Sequence, residues 1–333
     1  MKVLGVETSC DETAVAVLED GRELLSNVLA SQAHLHDRFG GVVPEVAARA
    51  HVENINPLIT MALTEAGMWV ADIDAVAVTV GPGLVGALLV GIAAAKAIAL
   101  SLDRPFIGVN HLEGHIYANF IDRQPLDEPY VSFLVSGGHT MLVYVPEPHR
   151  YEILGQTLDD AAGEAFDKVA RFIGLGFPGG PAIDSLSKKG DPAAIRFPRA
   201  VTERGYDFSL SGLKTAVIRY VKDARGRGEE INEADLAASF QEAVVDVQVD
   251  KTIAAATDKG VAKIVLGGGV VANTRLRELI AERAKQEGLE LLVPPIELCT
   301  DNAAMIACAG YHRLMAGERT DLEIGASPNL SLA

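Results

Sequence analysis

Val3-Leu4-Gly5-Val6-Glu7-Thr8-Ser9-Cys10-Asp11-Glu12-Thr13-Ala14-Val15-Ala16-Val17-Leu18 is the stretch that decides the fold. Residues 3–6 and 14–18 read as two apolar strands enclosing a polar turn, residues 7–13. The arrangement returns far downstream, as residues 131–135, then Ser136-Gly137-Gly138-His139-Thr140, then residues 141–145. Two apolar hairpins with small, hydroxyl-bearing turns, opening the two halves of the chain, point to an internally duplicated α/β protein. A duplication of this kind places the expected ligand cleft between two lobes, with the two turns facing it.

Composition agrees with that class. A chain of 333 residues has the length of about two domains. With 49% apolar but only 5% aromatic residues, its core is built mainly from Val, Ile, Leu and Ala, as in layered α/β proteins. Cys10, Cys299 and Cys308 show no framework spacing, which suggests a reducing compartment. Glu7 interrupts the N-terminus before a signal-like apolar run develops, so a cytoplasmic location is expected. Residues 84–100 are apolar, but they are rich in Ala and Gly, contain Lys96 and fall slightly short of a span; a core helix, and no membrane, is expected. The net charge of −16 argues against a general nucleic-acid coat. Residues 188–228 nevertheless hold ten Lys/Arg against four Asp/Glu, a local +6 that leaves −22 elsewhere, and so form either one polyanion contact or a solvated basic segment.

Between the hairpins, residues 43–66 have helical periodicity and residues 74–80 form a strand ending in Gly81-Pro82-Gly83, a turn whose free backbone N–H groups suit an anion. Residues 105–109 are a further strand, delivering the chain to Asn110-His111-Leu112-Glu113-Gly114-His115. Histidines at i and i+4 lie on one helix face and make a two-nitrogen metal clamp, or simply a polar face. Glu113, roughly 200° round the helix from His111, points away, unlike the glutamate of the zincin pattern that activates water. In the second half, Asp160, Glu164 and Asp167 share one side of a helix beginning near residue 159, as a solvated face or as a hold on ribose hydroxyls. Residues 263–266 run as a strand into Gly267-Gly268-Gly269 and a helix from Thr274, a crossover of nucleotide-binding type. Asp301, at the start of an alanine-rich helix, is either a third metal ligand or, like Thr300, an N-cap. Two imidazoles and a carboxylate with open positions suit iron(II) or zinc. Cys299 is expected in the core.

Taken in order, these motifs resemble the TsaD family, the tRNA adenosine threonylcarbamoyltransferases of duplicated actin-like ATPase fold (the ASKHA superfamily). The resemblance runs over nearly the whole chain and also takes in Phe39-Gly40-Gly41-Val42-Val43-Pro44-Glu45, Gly81-Pro82-Gly83-Leu84-Val85-Gly86, Pro178-Gly179-Gly180-Pro181 and Ser209-Leu210-Ser211-Gly212-Leu213-Lys214-Thr215. One departure is Val271, where the family more often has a small residue. The resemblance implies that His111, His115 and Asp301 ligate a divalent metal, with iron(II) favoured over zinc. It implies that Leu134, Val135, Ser136, Gly137, Gly138, Asp167, Gly180, Asp184 and Asn273 hold the nucleotide part of threonylcarbamoyl-AMP, a site that ATP, ADP or AMP can also occupy. The implied reaction moves the threonylcarbamoyl group onto the exocyclic amine of the adenosine 3′ of the anticodon in tRNAs reading ANN codons. Asp11 and Glu12 are the candidate acceptors of the amine proton, or else turn-forming acids. Implied partners are tRNA, a TsaB-like actin-fold paralogue and a TsaE-like ATPase. The expected lobes are residues 1–110 completed by 302–333, and 111–301 with the metal and nucleotide site. Two other readings compete: a metallopeptidase, disfavoured by the position of Glu113, and a nucleotide-sensing scaffold without transfer activity.

Overall fold

A computed structural model describes residues 1–199 and 205–333; Arg204 of the basic segment lies outside the described residues. The chain opens with an antiparallel meander of β1 (Lys2–Glu7), β2 (Glu12–Glu19) and β3 (Glu23–Ser31). The one-turn helix α1 (Ala33–His36) leads to α2 (Pro44–Glu65), which begins with proline, where a helix needs no backbone donor. Then β4 (Ala75–Gly81), α3 (Val85–Leu102) and β5 (Phe106–Asn110) place two parallel strands beside β1, in the order β3-β2-β1-β4-β5, and α4 (His111–Tyr117) follows at once.

A second meander comprises β6 (Tyr130–Val135), β7 (Thr140–Glu147) and β8 (Arg150–Gln156). It is followed by α5 (Ala162–Ile173), α6 (Gly179–Ser187), α7 (Ser211–Gly226), α8 (Glu233–Lys259), β9 (Lys263–Gly267), α9 (Thr274–Gln286) and β10 (Glu290–Leu292). Here the order is β8-β7-β6-β9-β10, with β9 parallel to β6 and β10 parallel to β9. The two sheets thus share one topology, strand for strand, and the duplication read from the two hairpins extends to the parallel strands beside them. Helix α10 (Ala303–Met315) closes the chain's secondary structure.

Packing divides the chain into Met1–Leu126 with Glu297–Ala333, and Asp127–Ile296. The divisions therefore differ from those expected at 110/111 and 301/302, and the histidine helix with Asp301 belongs to the first unit. The reason is that α4 lies on α10: a Cβ at Gly114 would meet Ile306 Cδ1 at 2.8 Å, and the Tyr117 and His312 rings are 5.4 Å apart. Helix α10 in turn lies on β1 at Gly5, where a Cβ would come within 2.3 Å of the Ala303 carbonyl oxygen. The first unit's core is aliphatic, with Leu4, Val6, Val76, Val78, Leu88 and Ile92 at its centre.

Helix α3 is long and apolar enough to cross a membrane. One face, with Ala87, Leu88, Gly91, Ile92 and Ala95, is buried in the unit, while Val85, Leu89 and Leu100 are exposed. It is a helix of the fold, less completely covered than the expected core helix. The tail after α10 runs along β4 and β5, with Ser327 N donating to the Val80 carbonyl at 2.8 Å and Thr320 N to that of Phe106 at 3.1 Å. This covers edge strand β5. The tail and the turn after β1 together use up the glycine turn after β4: Gly83 N donates to the Pro328 carbonyl and Leu84 N to that of Ser9, so these N–H groups are not open to an anion.

Because α10 approaches β1 only across Gly5, Gly5→Val is expected to destabilise the fold by about 1–3 kcal/mol or more. Urea unfolding followed by circular dichroism measures this; an unchanged midpoint would show that the contact is not tight.

Candidate functional site

Asn110 positions the clamp. Its side-chain oxygen caps α4 by accepting from Leu112 N at 2.9 Å, and its amide donates to the Ser331 carbonyl, tying the helix start to the C-terminal tail. His111 and His115 then lie one turn apart with ring centroids 4.7 Å from each other. Asp301 closes the group: its Oδ1 lies 3.4 Å from His111 Nε2 and 3.3 Å from His115 Nε2, and the three ligand atoms fall within 4.8 Å of one another. Asp301 is free to do so because the cap of α10 is Asn302, whose side chain accepts from Met305 N; the expected caps, Thr300 and Asp301, are not used. Glu113 points away, as its helical phase requires, to Arg313 at 3.4 Å.

His111 is oriented by a residue that sequence reasoning missed. Glu7, at the end of β1, is fully buried, and its Oε2 stands 3.0 Å from His111 Nδ1. A carboxylate only accepts, so Nδ1 carries a proton and Nε2 is turned to the site. Thr79 Oγ1 donates to the same oxygen at 2.6 Å, Ser9 N donates to the other, and Ser9 Oγ lies 3.2 Å from His111 Nδ1. The only sequence signal was an acid ending an apolar strand.

Electrostatics follow from this packing. Burial opposes charge on Glu7, but His111 beside it lowers its pKa below the usual range. Burial likewise opposes charge on His111, yet Asp301 and Glu7 outweigh it and raise its pKa well above the ordinary value. Asp301 is half-buried, and His111 and His115 hold its carboxyl far below the usual range. Buried His115 has no hydrogen-bond partner at either ring nitrogen. An orphaned imidazole facing a second imidazole and an ionised carboxylate fits a divalent cation, which would supply the missing partner and displace the proton from His111. Glu12, in the adjacent turn, has its pKa raised to about 9 by burial and by the negative Asp301 and Asp11, with which it shares a hydrogen bond.

In the second unit, one connected network links the β6–β7 turn with α5, α6 and α9. Leu134 and Val135 are buried strand residues that offer only backbone atoms. The turn closes with Ser136 N donating to the His139 carbonyl at 2.8 Å, while a Cβ at Gly137 or Gly138 would meet nothing within 4 Å. Helix α5 can start against this turn only because residue 163 is glycine, where a Cβ would lie 2.7 Å from Gly137 Cα. Asp167 accepts from Gly179 N at 2.7 Å and so fixes the start of α6, beside open Gly180. Asp184 accepts from Thr274 N and Oγ1 at 3.0 and 2.9 Å; Asn273 caps α9 and donates to Gln241. A cavity of about 270 Å³ adjoins these last residues, lined by Asp184, Lys188, Gln241 and Thr274 among others. Val271, the departure from the family pattern, is fully buried and turned into the core.

Two expectations change. Helix α5 begins at Ala162, so Asp160 precedes it rather than sharing its face; Asp160 is tied to Lys168 and Lys214, and Glu164 to Lys168. In the basic segment Lys188, Arg199, Lys214, Arg219 and Arg227 are paired with Asp184, Asp246, Asp160, Asp223 and Glu229. The exposed cations with no ion pair among the described residues are Lys189, Arg196, Lys222 and Arg225. Cys299 is buried, as expected.

Comparison with known proteins bears on what this site does. The family model for TsaD, tRNA N6-adenosine threonylcarbamoyltransferase, matches residues 23–308. A Clostridium botulinum tRNA N6-adenosine threonylcarbamoyltransferase is 56% identical over 333 residues, covering 100% of this chain and 98% of its own. One from Symbiobacterium thermophilum is 57% identical over 330 residues, covering 99% and 96%. Among solved structures, HypF of T. kodakarensis superposes with a TM-score of 0.63 at 14% identity, over 95% of this chain and 48% of that one. The Acidaminococcus fermentans (R)-2-hydroxyglutaryl-CoA dehydratase component A gives 0.56 at 16%, over 95% and 99%. At such identities these two show the fold alone, the duplicated actin-like ATPase fold.

If Glu7 sets the tautomer and basicity of His111, Glu7→Gln is expected to weaken divalent-metal binding by about 10- to 100-fold. Titration against a chelating indicator measures it; unchanged affinity would restrict Glu7 to a folding role.

Proposed function

Because the chain belongs to the TsaD family, tRNA N6-adenosine threonylcarbamoyltransferases, and is a tRNA-modifying transferase, we propose a specific division of labour between its residues. The single observation that carries it is the grouping of His111, His115 and Asp301 around one point, with Glu113 turned away to Arg313. In this reading His111, His115 and Asp301 hold a divalent metal, iron(II) in preference to zinc. Leu134, Val135, Ser136, Gly137, Gly138, Asp167, Gly180, Asp184 and Asn273 hold the adenylate of threonylcarbamoyl-AMP. ATP, ADP or AMP can take the same place. The acceptor is the adenosine 3′ of the anticodon in tRNAs reading ANN codons.

The chemical difficulty is the acceptor. Its exocyclic amine is conjugated with the purine and attacks poorly, so the carbamoyl carbon has to arrive activated, oriented and dry. The mixed anhydride with AMP supplies the activation. Nitrogen bonds to the carbamoyl carbon, the bond from that carbon to the phosphate oxygen breaks, AMP leaves, and the amine loses one proton. A metal at the His111–His115–Asp301 group supplies positive charge for the threonyl carboxylate. Backbone N–H groups of the open turn at Gly137 and Gly138 suit the phosphate, and Asp167, by fixing the start of α6, presents Gly180 beside it. The two acids of the first turn, Asp11 and Glu12, are the acceptors available to the amine proton.

For docking, tRNA meets Lys189, Arg196, Lys222 and Arg225, the cations with no ion pair among the described residues and a smaller set than the full basic segment. The TsaB-like paralogue is assigned to the exposed apolar side of α2 and α3 with the segment after α2, where Val52, Met61, Leu89 and Trp69 are uncovered; the TsaE-like ATPase completes the assembly in the cytoplasm.

Incubation with tRNA, threonine, bicarbonate, ATP, the adenylate-forming enzyme and the two partner proteins is expected to yield threonylcarbamoyladenosine by nucleoside mass spectrometry. Asp11→Asn should lower the rate at least about 100-fold with metal content unchanged. Absence of the product with wild-type protein would favour a nucleotide-sensing scaffold instead. Reversing Lys189, Arg196, Lys222 and Arg225 to Glu should weaken tRNA binding and flatten its salt dependence; unchanged affinity and slope would place the tRNA elsewhere.

A further inference from the structure

One motif has no part in the chemistry above: Arg38-Phe39-Gly40-Gly41, between α1 and α2. Phe39 is half exposed, at 50%, and the Arg38 guanidinium lies over its ring, 4.6 Å from the centroid. Arg38 is itself exposed and has no acid partner among the described residues, unlike the nearby Arg49, which pairs with Glu45.

The segment is not a loose loop at its base. His36 is fully buried; its Nδ1 accepts from Val43 N at 3.3 Å and its Nε2 lies 3.4 Å from Gln32 Oε1, so one imidazole ties the two ends together. A three-residue turn of 3₁₀ helix, Asp37–Phe39, holds the pair and ends at Gly40 in a left-handed conformation. Gln32 N donates to the Asp11 carbonyl at 3.0 Å, and Ser31 is the strand partner of Glu12. The presenting segment and the turn carrying Asp11 and Glu12 therefore rise from the same strand ends of the first unit. Seven residues of helical rise separate Gln32 from Phe39, on the order of 12 Å, a span of two or three nucleotides of an extended single strand.

We propose that Arg38 and Phe39 form a stacking platform for an unpaired base of the tRNA anticodon loop flanking the target adenosine. The inference rests on the reading of the substrate under Proposed function. A base to be modified has to leave its stack, and its neighbours lose a stacking partner when it does. An exposed aromatic ring backed by a guanidinium replaces that partner, and the guanidinium donors remain available to a phosphate. Every base has a π-face, so such a platform accepts different flanking bases and fits an enzyme that acts on a set of tRNAs.

The test is steady-state kinetics of the assembled system with saturating adenylate donor. Phe39→Ala and Arg38→Ala are expected to raise KM for tRNA about tenfold with kcat and metal content unchanged, and Phe39→Trp to restore it. A tRNA with abasic sites at the unpaired positions flanking the target adenosine should show the same loss with wild-type protein and no further loss with Phe39→Ala. Wild-type KM in both alanine variants, or additive losses with the abasic tRNA, would overturn the platform. So would a fall in kcat that Phe39→Trp does not reverse. No modified adenosine from the wild-type system would instead mark failure of the underlying reading.

Discussion

A carboxylate with no access to water, Glu7, sits at the end of the first strand, and an unpaired charge there would cost several kcal/mol. Its satisfaction brings three distant pieces of chain together: Ser9 from the following turn, Thr79 from β4 and His111 from the start of α4. Once His111 is fixed through its Nδ1, its Nε2 has one direction left, towards Asp301 and His115. The His111–His115–Asp301 group is therefore an outgrowth of the core of one unit, where strand, clamp helix and α10 pack together. Close approach at Gly5 and Gly114 is what lets β1, α4 and α10 share that core.

The parts legible in the sequence were those with a local signal. Period-two apolar runs marked the two hairpins, and their repetition marked the duplication; the i, i+4 histidines and the outward phase of Glu113 followed from helix geometry alone. Glu7 escaped because nothing local separates an acid that ends a strand at the surface from one buried under an imidazole 104 residues away. The choice between cap and ligand for Asp301 was decided by Asn302, one position on, whose side chain takes the cap. The basic segment shrank for the same reason: the acids that neutralise Arg199 and Lys214 come from α8 and from the loop before α5, so a count of charges along the chain overstates the field at the surface. Long-range pairing of this kind is set by the fold and leaves no trace in residue spacing.

The two units make different offers to a substrate. The first provides fixed charge, with two imidazoles and a carboxylate at one point and two further acids in the next turn. The second provides open backbone, with the glycine turn after β6 and the capped starts of α6 and α9, where ordered carboxylates hold the helices rather than facing outward. Glu113, turned to Arg313, is not placed to activate water at the His111–His115–Asp301 group.

The most direct measurement is X-ray absorption at the metal edge of iron-loaded protein, compared with Asp301→Ala and His115→Ala variants. The account predicts a first shell with two imidazole nitrogens and one carboxylate oxygen at about 2.0–2.2 Å, losing the oxygen in the first variant and one imidazole in the second. A spectrum lacking histidine scattering, or one unchanged by both substitutions, would contradict it.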